Sequence, residues 1–452
     1  MLSEDTLLEI FYFYRLDATK QSRGRPWKWH RLAHVCRRWR YVITVSPRRL
    51  GLQILCKSGA AIGSTLDVWP TLPLVVRSKA PKSKSLPNNI IVALRRPDRV
   101  CEIDLTLSSS LIGSIVKVIQ EPLPSLECIR ITVKNATGQP MVVRGAFLGG
   151  PAPHLREISL DGVAFPFPEI QQTLLSTNNI VELHLSSIPN ELYFLPTDLV
   201  TGLSTLVQLK RLTVGFHSPV TPVSSLLPSM TPPRRTTLPL LSFLDFHGAS
   251  EYLEDFVARI DLPALSEITI RLFNQIFFEF PQFCRFIPRL NALGSPTSVM
   301  VTHLVGSVGV FFFQEGNPSN ENCFLGTSCR RLDWQLSFAT QISSQLSPLF
   351  SNVRLLVIQR VHELPTREDV DTTQWLEFFQ PFTQVTEVHV WEKQLVPGIV
   401  QALIAEDMAT GVLPELTLLR LSGYLKSISI TKAAEQFIAM RRLTGHTVSL
   451  LN

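Results

Sequence analysis

Several short motifs that carry common enzyme chemistry are missing from the 452-residue sequence. It contains no Gly-x-x-x-x-Gly-Lys-Ser/Thr phosphate loop, no Gly-x-Gly-x-x-Gly turn, no His-Glu-x-x-His helix and no Gly-x-Ser-x-Gly nucleophile elbow. Its ten histidines are dispersed, and single histidines on strand faces are usually polar surface residues rather than metal ligands. These absences predict a protein that is not an enzyme and has no catalytic residue, cofactor or metal ion.

A Cys-x-x-Cys pair is also lacking, and the seven cysteines are an odd number scattered along the chain. That pattern fits neither a disulfide framework nor a zinc site, so we expect most of the cysteines to be reduced core residues. The chain does not open with the basic segment and apolar run of a secretory signal. We therefore expect an intracellular protein, in the cytoplasm, the nucleus or both.

Long apolar runs are scarce as well. The most apolar stretch, residues 299–313, is interrupted by polar residues and glycines, and it is too short to cross a bilayer, which takes about 20 residues. It is more typical of a buried pair of strands. A content of 45% hydrophobic and 18% charged residues indicates a folded chain, and 32 prolines against 22 glycines indicate many short elements.

Charge is distributed unevenly along the chain. Residues 1–100 hold 19 Lys and Arg against 6 Asp and Glu, whereas the remainder holds 24 against 31. A basic first fifth on a mildly acidic body predicts that the N-terminal part meets an acidic partner, either a protein or a nucleic acid.

A helix is predicted at the beginning of the chain. Ser3 can act as its N-cap, with Glu4 and Asp5 in the first turn, where carboxylates favour the positive end of a helix. Apolar residues then follow at helical spacing: Leu7, Leu8, Ile10, Phe11, Tyr12 and Tyr14.

A second helix is predicted after a basic connection at residues 17–25, with Pro26 in its first turn. Its end is set by Ser46, because a residue before proline is pushed out of the helical region. Two short helices cannot bury two wide apolar faces against each other, so another chain or the following domain should cover part of them. The apolar stripe of this second helix consists of Leu32, Val35, Cys36, Trp39, Val42 and Ile43.

These residues resemble an F-box, in the F-box-like form common in fungal proteins. The similarity covers about 50 residues and is carried by LSEDTLLEIF (2–11), LAHVCRRW (32–39) and SPRRL (46–50). Ser3 stands where the family usually has proline, and the loop at residues 17–26 is longer than usual. The resemblance implies that this segment binds the Skp adaptor of a cullin-based ubiquitin ligase. The adaptor-binding residues it implies are Leu2, Leu7, Leu8, Ile10, Phe11, Leu32, Val35, Cys36 and Trp39.

An apolar triplet at spacing i, i+3, i+5 recurs along the rest of the chain. The last two residues of each triplet alternate as in a half-buried strand, and the first anchors the turn that enters it. Each unit would return through a helix or loop, such as a helix at residues 168–176. Weaker copies lie at Trp69-Leu72-Leu74 and near residues 299–301. The triplets begin at Val100, Leu126, Leu155, Ile180, Leu209, Leu241, Leu265, Cys329, Val353, Val385 and Leu416.

The recurrence resembles a long, irregular leucine-rich repeat, which implies an α/β solenoid whose stacked units bury a continuous core. An ordinary α/β domain with similar buried strands is the alternative. We expect an F-box-like helical module at residues 1–50 and a linker with a first irregular repeat at 51–99. The repeat array would then occupy 100–431, with a Pro-rich insertion at 217–239, and a C-terminal helix or tail would occupy 432–452.

Polar residues between the apolar ones of each strand would line the open face of such an array. This face tends acidic, and we expect part of it to recognise a protein substrate with a basic segment, although any solvated strand face shows the same alternation. The candidate substrate-binding residues are Glu157, Glu182, His184, Arg211, Asp245, Glu267, Glu387, His389 and Arg420.

The resemblance implies a non-catalytic substrate receptor of a Skp/cullin/F-box ubiquitin ligase. Its partners would be the Skp adaptor, through it a cullin scaffold, and an unknown protein substrate, with no membrane. A repeat scaffold acting outside ubiquitin transfer is the alternative. A nucleic-acid binder is disfavoured, because the N-terminal arginines share a helix that has no aromatic residues interleaved on its polar side.

Overall fold

The computed structural model describes residues 2–21, 29–46, 53–56, 66, 72–79, 88–134, 139–217, 235–273, 279–290, 296–304, 306–313, 323–329, 331–360, 371–392, 395–405, 411–421, 428–443 and 445–451. The chain is a mixed α/β protein in which the strands of a long, mostly parallel sheet alternate with helices along the sequence. It divides into two compact units. The first comprises Met1–Phe194 with Thr205–Leu209, and the second comprises Leu195–Ser204 with Lys210–Asn452.

Three helices open the first unit, and the first of them is confirmed as predicted. Ser3 caps it, since the Thr6 N–H donates to Ser3 Oγ at 3.1 Å. The helix runs on to Gln21, five residues into the predicted connection, and residues 22–28, with Pro26, lie outside the described residues. These helices are α1 (Glu4–Gln21), α2 (Trp29–Ala33) and α3 (Arg37–Val45).

The prediction of a single second helix is wrong, because the chain breaks between α2 and α3. Cys36 has an extended backbone, with φ −156° and ψ 169°, and serves as the N-cap of α3. Its Sγ accepts the Trp39 N–H at 3.4 Å. The predicted end is confirmed, with Ser46 as the C-cap.

Six parallel strands follow in the first unit, each paired with the next. The helix predicted at residues 168–176 is confirmed. The strands are β1 (Ile54–Cys56), β2 (Leu74–Lys79), β3 (Val100–Ser108), β4 (Cys128–Lys134), β6 (Glu157–Asp161) and β8 (Glu182–Ile188). A separate two-stranded sheet joins β5 (Met141–Val142) to β7 (Val163–Ala164). The helices are α4 (Asn88–Leu94), α5 (Ser109–Ile119) and α6 (Phe167–Ser176).

The second unit continues the alternation of strands and helices with ten strands in the order β9-β11-β13-β16-β15-β14-β17-β18-β19-β20. They are β9 (Arg211–Phe216), β11 (Phe243–Gly248), β13 (Glu267–Leu272), β14 (Ser298–Leu304), β15 (Ser307–Phe313), β16 (Cys323–Thr327), β17 (Leu355–Arg360), β18 (Glu387–Val390), β19 (Leu418–Leu421) and β20 (Ser449–Leu451). A separate two-stranded parallel sheet joins β10 (Thr236–Thr237) to β12 (Ile260–Asp261). Residues 218–234 of the predicted insertion lie outside the described residues.

Seven α-helices are described in this unit. They are α7 (Pro196–Leu203), α8 (Ser250–Ala258), α9 (Pro281–Phe286), α10 (Leu332–Gln345), α11 (Thr372–Phe379), α12 (Val396–Ala405) and α13 (Ile428–Leu443). Short 3₁₀ turns occupy Ile287–Arg289 and Ser347–Asn352 here, and Asn190–Leu192 in the first unit. Of the described helices in either unit, none is long and apolar enough to cross a membrane.

Ten of the eleven predicted triplets place their second and third residues in a strand, where both are buried. The exception begins at Cys329, since its other two members lie in α10. There the buried residues Leu332, Leu336 and Ala339 follow the period of a helix, so the strand prediction is wrong at this position. Trp69 of the weak copy lies outside the described residues.

The repeat is longer than the triplet. In eight of these ten units the first triplet residue donates its N–H to the carbonyl of a buried residue three positions earlier, as Leu126 does to Leu123 at 3.1 Å and Leu265 to Leu262 at 3.2 Å. This tight turn leads the chain into each strand, and a proline often follows its first residue. The unit therefore reads Leu-x-x-Leu-x-x-Leu-x-Leu, and the triplet is the last part of this longer pattern.

The buried strand pair predicted at residues 299–313 is confirmed as β14 and β15. β15 is antiparallel to both neighbours, whereas β14 pairs parallel with β17 and β16 pairs parallel with β13. Helix α10 packs against the side of this pair that carries His303, whose Nδ1 lies 3.1 Å from Gln335 Oε1. The core of this region therefore lies between the sheet and α10. All seven cysteines lie within the described residues, none of them is in a disulfide, and four are buried.

Candidate interaction surfaces

The three N-terminal helices form a small core of their own. The Phe11 ring meets the Trp39 ring edge-on, with centroids 4.8 Å apart and planes at 62°. Leu7 and Leu8 are buried beside Phe11. The Arg40 Nε donates to the Ala33 carbonyl at 3.0 Å, which ties α3 to the end of α2. Three of the residues predicted to bind an adaptor, namely Leu7, Leu8 and Phe11, therefore serve the internal packing of this module.

The other predicted adaptor-binding residues are more accessible. Leu32 and Trp39 are half-buried, and Leu2, Ile10, Val35 and Cys36 are exposed. This division could not be predicted from the sequence, because one helical stripe does not reveal which of its edges faces the neighbouring helix.

Further apolar side chains are exposed next to these. Phe13 and Tyr14 lie three and four residues after Ile10, on the same side of α1, and Tyr41 and Val45 are related in the same way on α3. In the described part of the chain, eight of the seventeen exposed large apolar side chains fall within residues 2–45. We refer to these eight as the exposed apolar set: Leu2, Ile10, Tyr12, Phe13, Tyr14, Val35, Tyr41 and Val45.

A ladder of alternating charges crosses the open face of the first unit. Arg77 on β2 lies 2.7 Å from Glu102 on β3, and Arg130 on β4 lies 3.5 Å from the same carboxylate. Arg130 also donates through Nε and Nη2 to both carboxylate oxygens of Glu157 on β6. The predicted substrate residue Glu157 is thus paired inside the protein. These pairings were not predicted from the sequence, because only the strand register brings the two arginines beside these carboxylates.

Glu182 and His184 extend the same face on β8, where they lie opposite Glu157 and Ser159 of β6. The His184 Nε2 lies 2.7 Å from Ser186 Oγ. Both residues are half-buried, so this part of the predicted face is polar and partly accessible.

The open face of the second unit carries the other predicted substrate residues as separate pairs. The Arg211 guanidinium stacks 3.9 Å above the Phe243 ring. Asp245 accepts a hydrogen bond from Arg271 at 3.0 Å, and Glu267 is exposed.

His389 and Glu387 form a second charged group on this face, next to Arg420. The His389 Nε2 lies 3.2 Å from Glu387 Oε2, and His389 is the register partner of Arg420. Burial lowers the pKa of His389, Arg420 lowers it further, and Glu387 opposes them. The ring therefore favours its neutral form in the folded protein.

Apolar residues interrupt this polar face around the antiparallel strand β15. Phe324 on β16, Phe311 on β15, Met300 on β14 and Val357 on β17 are successive register partners across four strands. We call these four residues the apolar row. All four are half-buried, and the two phenylalanine rings lie 4.7 Å apart. The row could not be predicted from the repeat pattern, because its members are neighbours only through the antiparallel register of β15.

A pair of glycines lies directly beside the row. Gly309 and Gly326 are register partners on β15 and β16. A Cβ at either position would collide with the outer edge of the Phe324 ring. The ring therefore leans along the sheet over both glycines, which only glycine permits.

Scans against models of known protein families and against curated proteins found no match to this chain. Within the described ranges, no group of three or more His, Cys, Asp or Glu side chains is placed to hold a metal ion. The arrangements found above are surfaces of apolar residues and paired charges, which suit the binding of another macromolecule.

Proposed function

We propose that this chain is the non-catalytic substrate receptor of a Skp/cullin/F-box ubiquitin ligase. In this proposal α1–α3 are an F-box-like module that binds the Skp adaptor, and the strands and helices that follow are an irregular leucine-rich repeat solenoid that binds a protein target. The carrying observation is the exposed apolar set, which the packing of Phe11 on Trp39 leaves uncovered.

Concentrated apolar exposure supports a docking role. Eight large apolar side chains exposed within residues 2–45 are more than a folded monomer needs, and such patches mark interaction sites. Arg31, Arg37 and Arg40 are exposed among them. Their charge favours an acidic partner, which is the property expected of the adaptor.

No reactive residue is required of this chain in the proposed role. A receptor that holds its target near a conjugating enzyme accelerates the transfer through proximity alone. The open face of either unit then offers a surface for the target.

Binding to purified Skp adaptor tests the proposal. The full chain should bind, and Ile10→Arg and Val35→Arg should each weaken binding about tenfold or more, the equivalent of 1.4 kcal/mol. Leu175→Arg is the matched control, because Leu175 is also exposed, at 48%, but lies on α6. Isothermal titration calorimetry gives the affinities, and circular dichroism checks that each variant is folded.

Failure of the unmodified chain to bind the adaptor would reject the proposal and favour the alternative, a repeat scaffold acting outside ubiquitin transfer. Equal losses for the exposed variants and the Leu175→Arg control would also reject it, because the contact would then not lie on α1–α3.

A further inference from the structure

We propose that the apolar row binds an extended protein segment that carries an aromatic or large aliphatic side chain with an Asp or Glu two residues away. This inference rests on the proposed function only in taking the target to be a protein, and it does not require adaptor binding. It replaces the basic segment expected from the sequence with an acidic one.

The position of the row is unusual for a sheet with one open face. Outward positions of such strands are normally polar, as Thr269 and His389 are on the strands that flank the row. Four successive register partners are apolar instead, and at about 4.8 Å between strands they form a strip about 14 Å long. A continuous apolar strip with a polar rim is typical of an interaction site.

The glycine pair shapes the strip. Glycine inside a strand weakens the strand and often marks a close approach to it. Here Gly309 and Gly326 let the Phe324 ring lean over the backbone instead of standing away from the sheet. The space above the row is therefore open to a side chain of the bound segment, which would contact the rings of Phe311 and Phe324.

Arg271 supplies the charge that selects the segment. It is the register partner of Gly326, and its Cζ lies 5.9 Å from the centroid of the Phe324 ring. Its side chain is 53% exposed, and its hydrogen bonds within the described residues all come from Nη1, to Asp245. The Nε and Nη2 groups can therefore donate to a carboxylate of the bound segment.

The spacing of residues along the strand sets the separation between the apolar and the acidic side chain of the bound segment. Arg271 stands two residues beyond Thr269, the register partner of Phe324, so it is about 6.6 Å from the row along the strand. An extended segment repeats its side chains over the same distance. An apolar side chain on the row thus places the carboxylate two residues away beside Arg271.

A basic segment fits the Arg271 end of the row less well. Asp245, the register partner of Thr269, is already paired with Arg271 at 3.0 Å. Its negative charge is largely compensated, whereas Arg271 keeps unused donors. The charge complementarity therefore favours an acidic segment.

Selection from a displayed library of random 12-residue peptides on the full chain tests the inference. The enriched peptides should share an aromatic or large aliphatic residue with Asp or Glu two positions away. A selected peptide, measured by fluorescence anisotropy, should bind Phe324→Ala about tenfold more weakly. Selection on Arg271→Glu should instead enrich Lys or Arg at the acidic position.

Helix α10 offers matched controls on the other side of the sheet. Arg331 pairs with Asp333 at 2.6 Å and stands 5.3 Å from the Trp334 ring, an arrangement that copies Arg271 beside Phe324. Trp334→Ala and Arg331→Glu should leave the selected peptides and their affinities unchanged. The exposed Arg271 keeps the test valid even if Phe324→Ala proves unstable.

Three outcomes would overturn the inference. The first is a library that yields no shared pattern on the unmodified chain, and the second is an unchanged charge preference in Arg271→Glu. The third is self-association that depends on Phe324 in sedimentation velocity, because a second copy of the chain would then be the occupant of the row. Adaptor affinity, measured on the same variants, should not change. Failure of the unmodified chain to bind the adaptor would reject the proposed function and leave this inference standing.

Discussion

Replacing Arg130 with methionine tests whether the charge ladder stabilises the first unit. Arg130 donates through Nε and Nη2 to Glu157, and its Nη1 lies 3.5 Å from Glu102. Glu102 keeps Arg77 at 2.7 Å in this variant, whereas Glu157 loses the guanidinium that pairs with it. We therefore expect the loss to fall mainly on Glu157.

The exposure of the two side chains sets the magnitude, at 40% for Arg130 and 18% for Glu157. Fully exposed pairs contribute about 0.2–1 kcal/mol, and breaking a buried pair costs about 3–5 kcal/mol. This pair lies between those limits. Arg130→Met should therefore lower the free energy of unfolding by about 2 kcal/mol.

Urea unfolding followed by fluorescence measures this loss, and double-mutant cycles locate it. The coupling of Arg130→Met with Glu157→Gln should be about 1–2 kcal/mol, and the coupling with Glu102→Gln below about 0.5 kcal/mol. Both should shrink in about 1 M NaCl, because salt screens partly exposed charges. Arg156→Met, at an exposed arginine just before β6, is the control and should change little. Equal couplings for the two glutamates would refute the reasoning.

Three further variants, and one control variant at Gly306, probe other features through their melting temperatures. Gly309→Ala should cost about 1–3 kcal/mol, because the added methyl group meets an aromatic ring, whereas Gly306→Ala has open space and should cost little. Cys36→Ser replaces a thiol N-cap with a preferred one and should stabilise α3 by about 0.5–1 kcal/mol. Burial, aided by Arg420, lowers the pKa of His389. The neutral ring therefore contributes to the stability of the fold above the ordinary pKa of 6.5, and this contribution is lost as the pH falls through the lowered pKa. His389→Gln should accordingly reduce the loss of stability on acidification.

The strands could largely be predicted from the sequence because burial on one face forces alternation. Ile268 and Ile270 are fully buried on β13, and the same pattern recurs often enough to exceed chance. The pattern failed after Cys329, where a short apolar spacing fits both a strand and a helix. The length of α10, 14 residues, decides in favour of the helix there.

Contacts between elements could not be predicted in the same way. Glu157 was correctly expected on the open face, but its partner Arg130 lies 27 residues earlier, and only parallel register brings them together. The break at Cys36 was missed because the apolar spacing continues through it, although the backbone there is extended. Local spacing reports which side of an element is buried, and it does not report what faces it.

The open face of the second unit departs from its polar pattern at the antiparallel strand β15. In the second unit, the neighbouring strand pairs without β15 whose register is described are all parallel. A repeating sequence can therefore keep its outward positions polar on those strands. β15 runs the other way and brings Phe311 and Gly309 beside Phe324 and Gly326. Sequence rules are broken most often where a site is built, and here the broken repeat, the glycine pair and the apolar row coincide. That coincidence makes this part of the sheet, rather than the paired carboxylates of the first unit, the surface on which a bound protein segment should be sought.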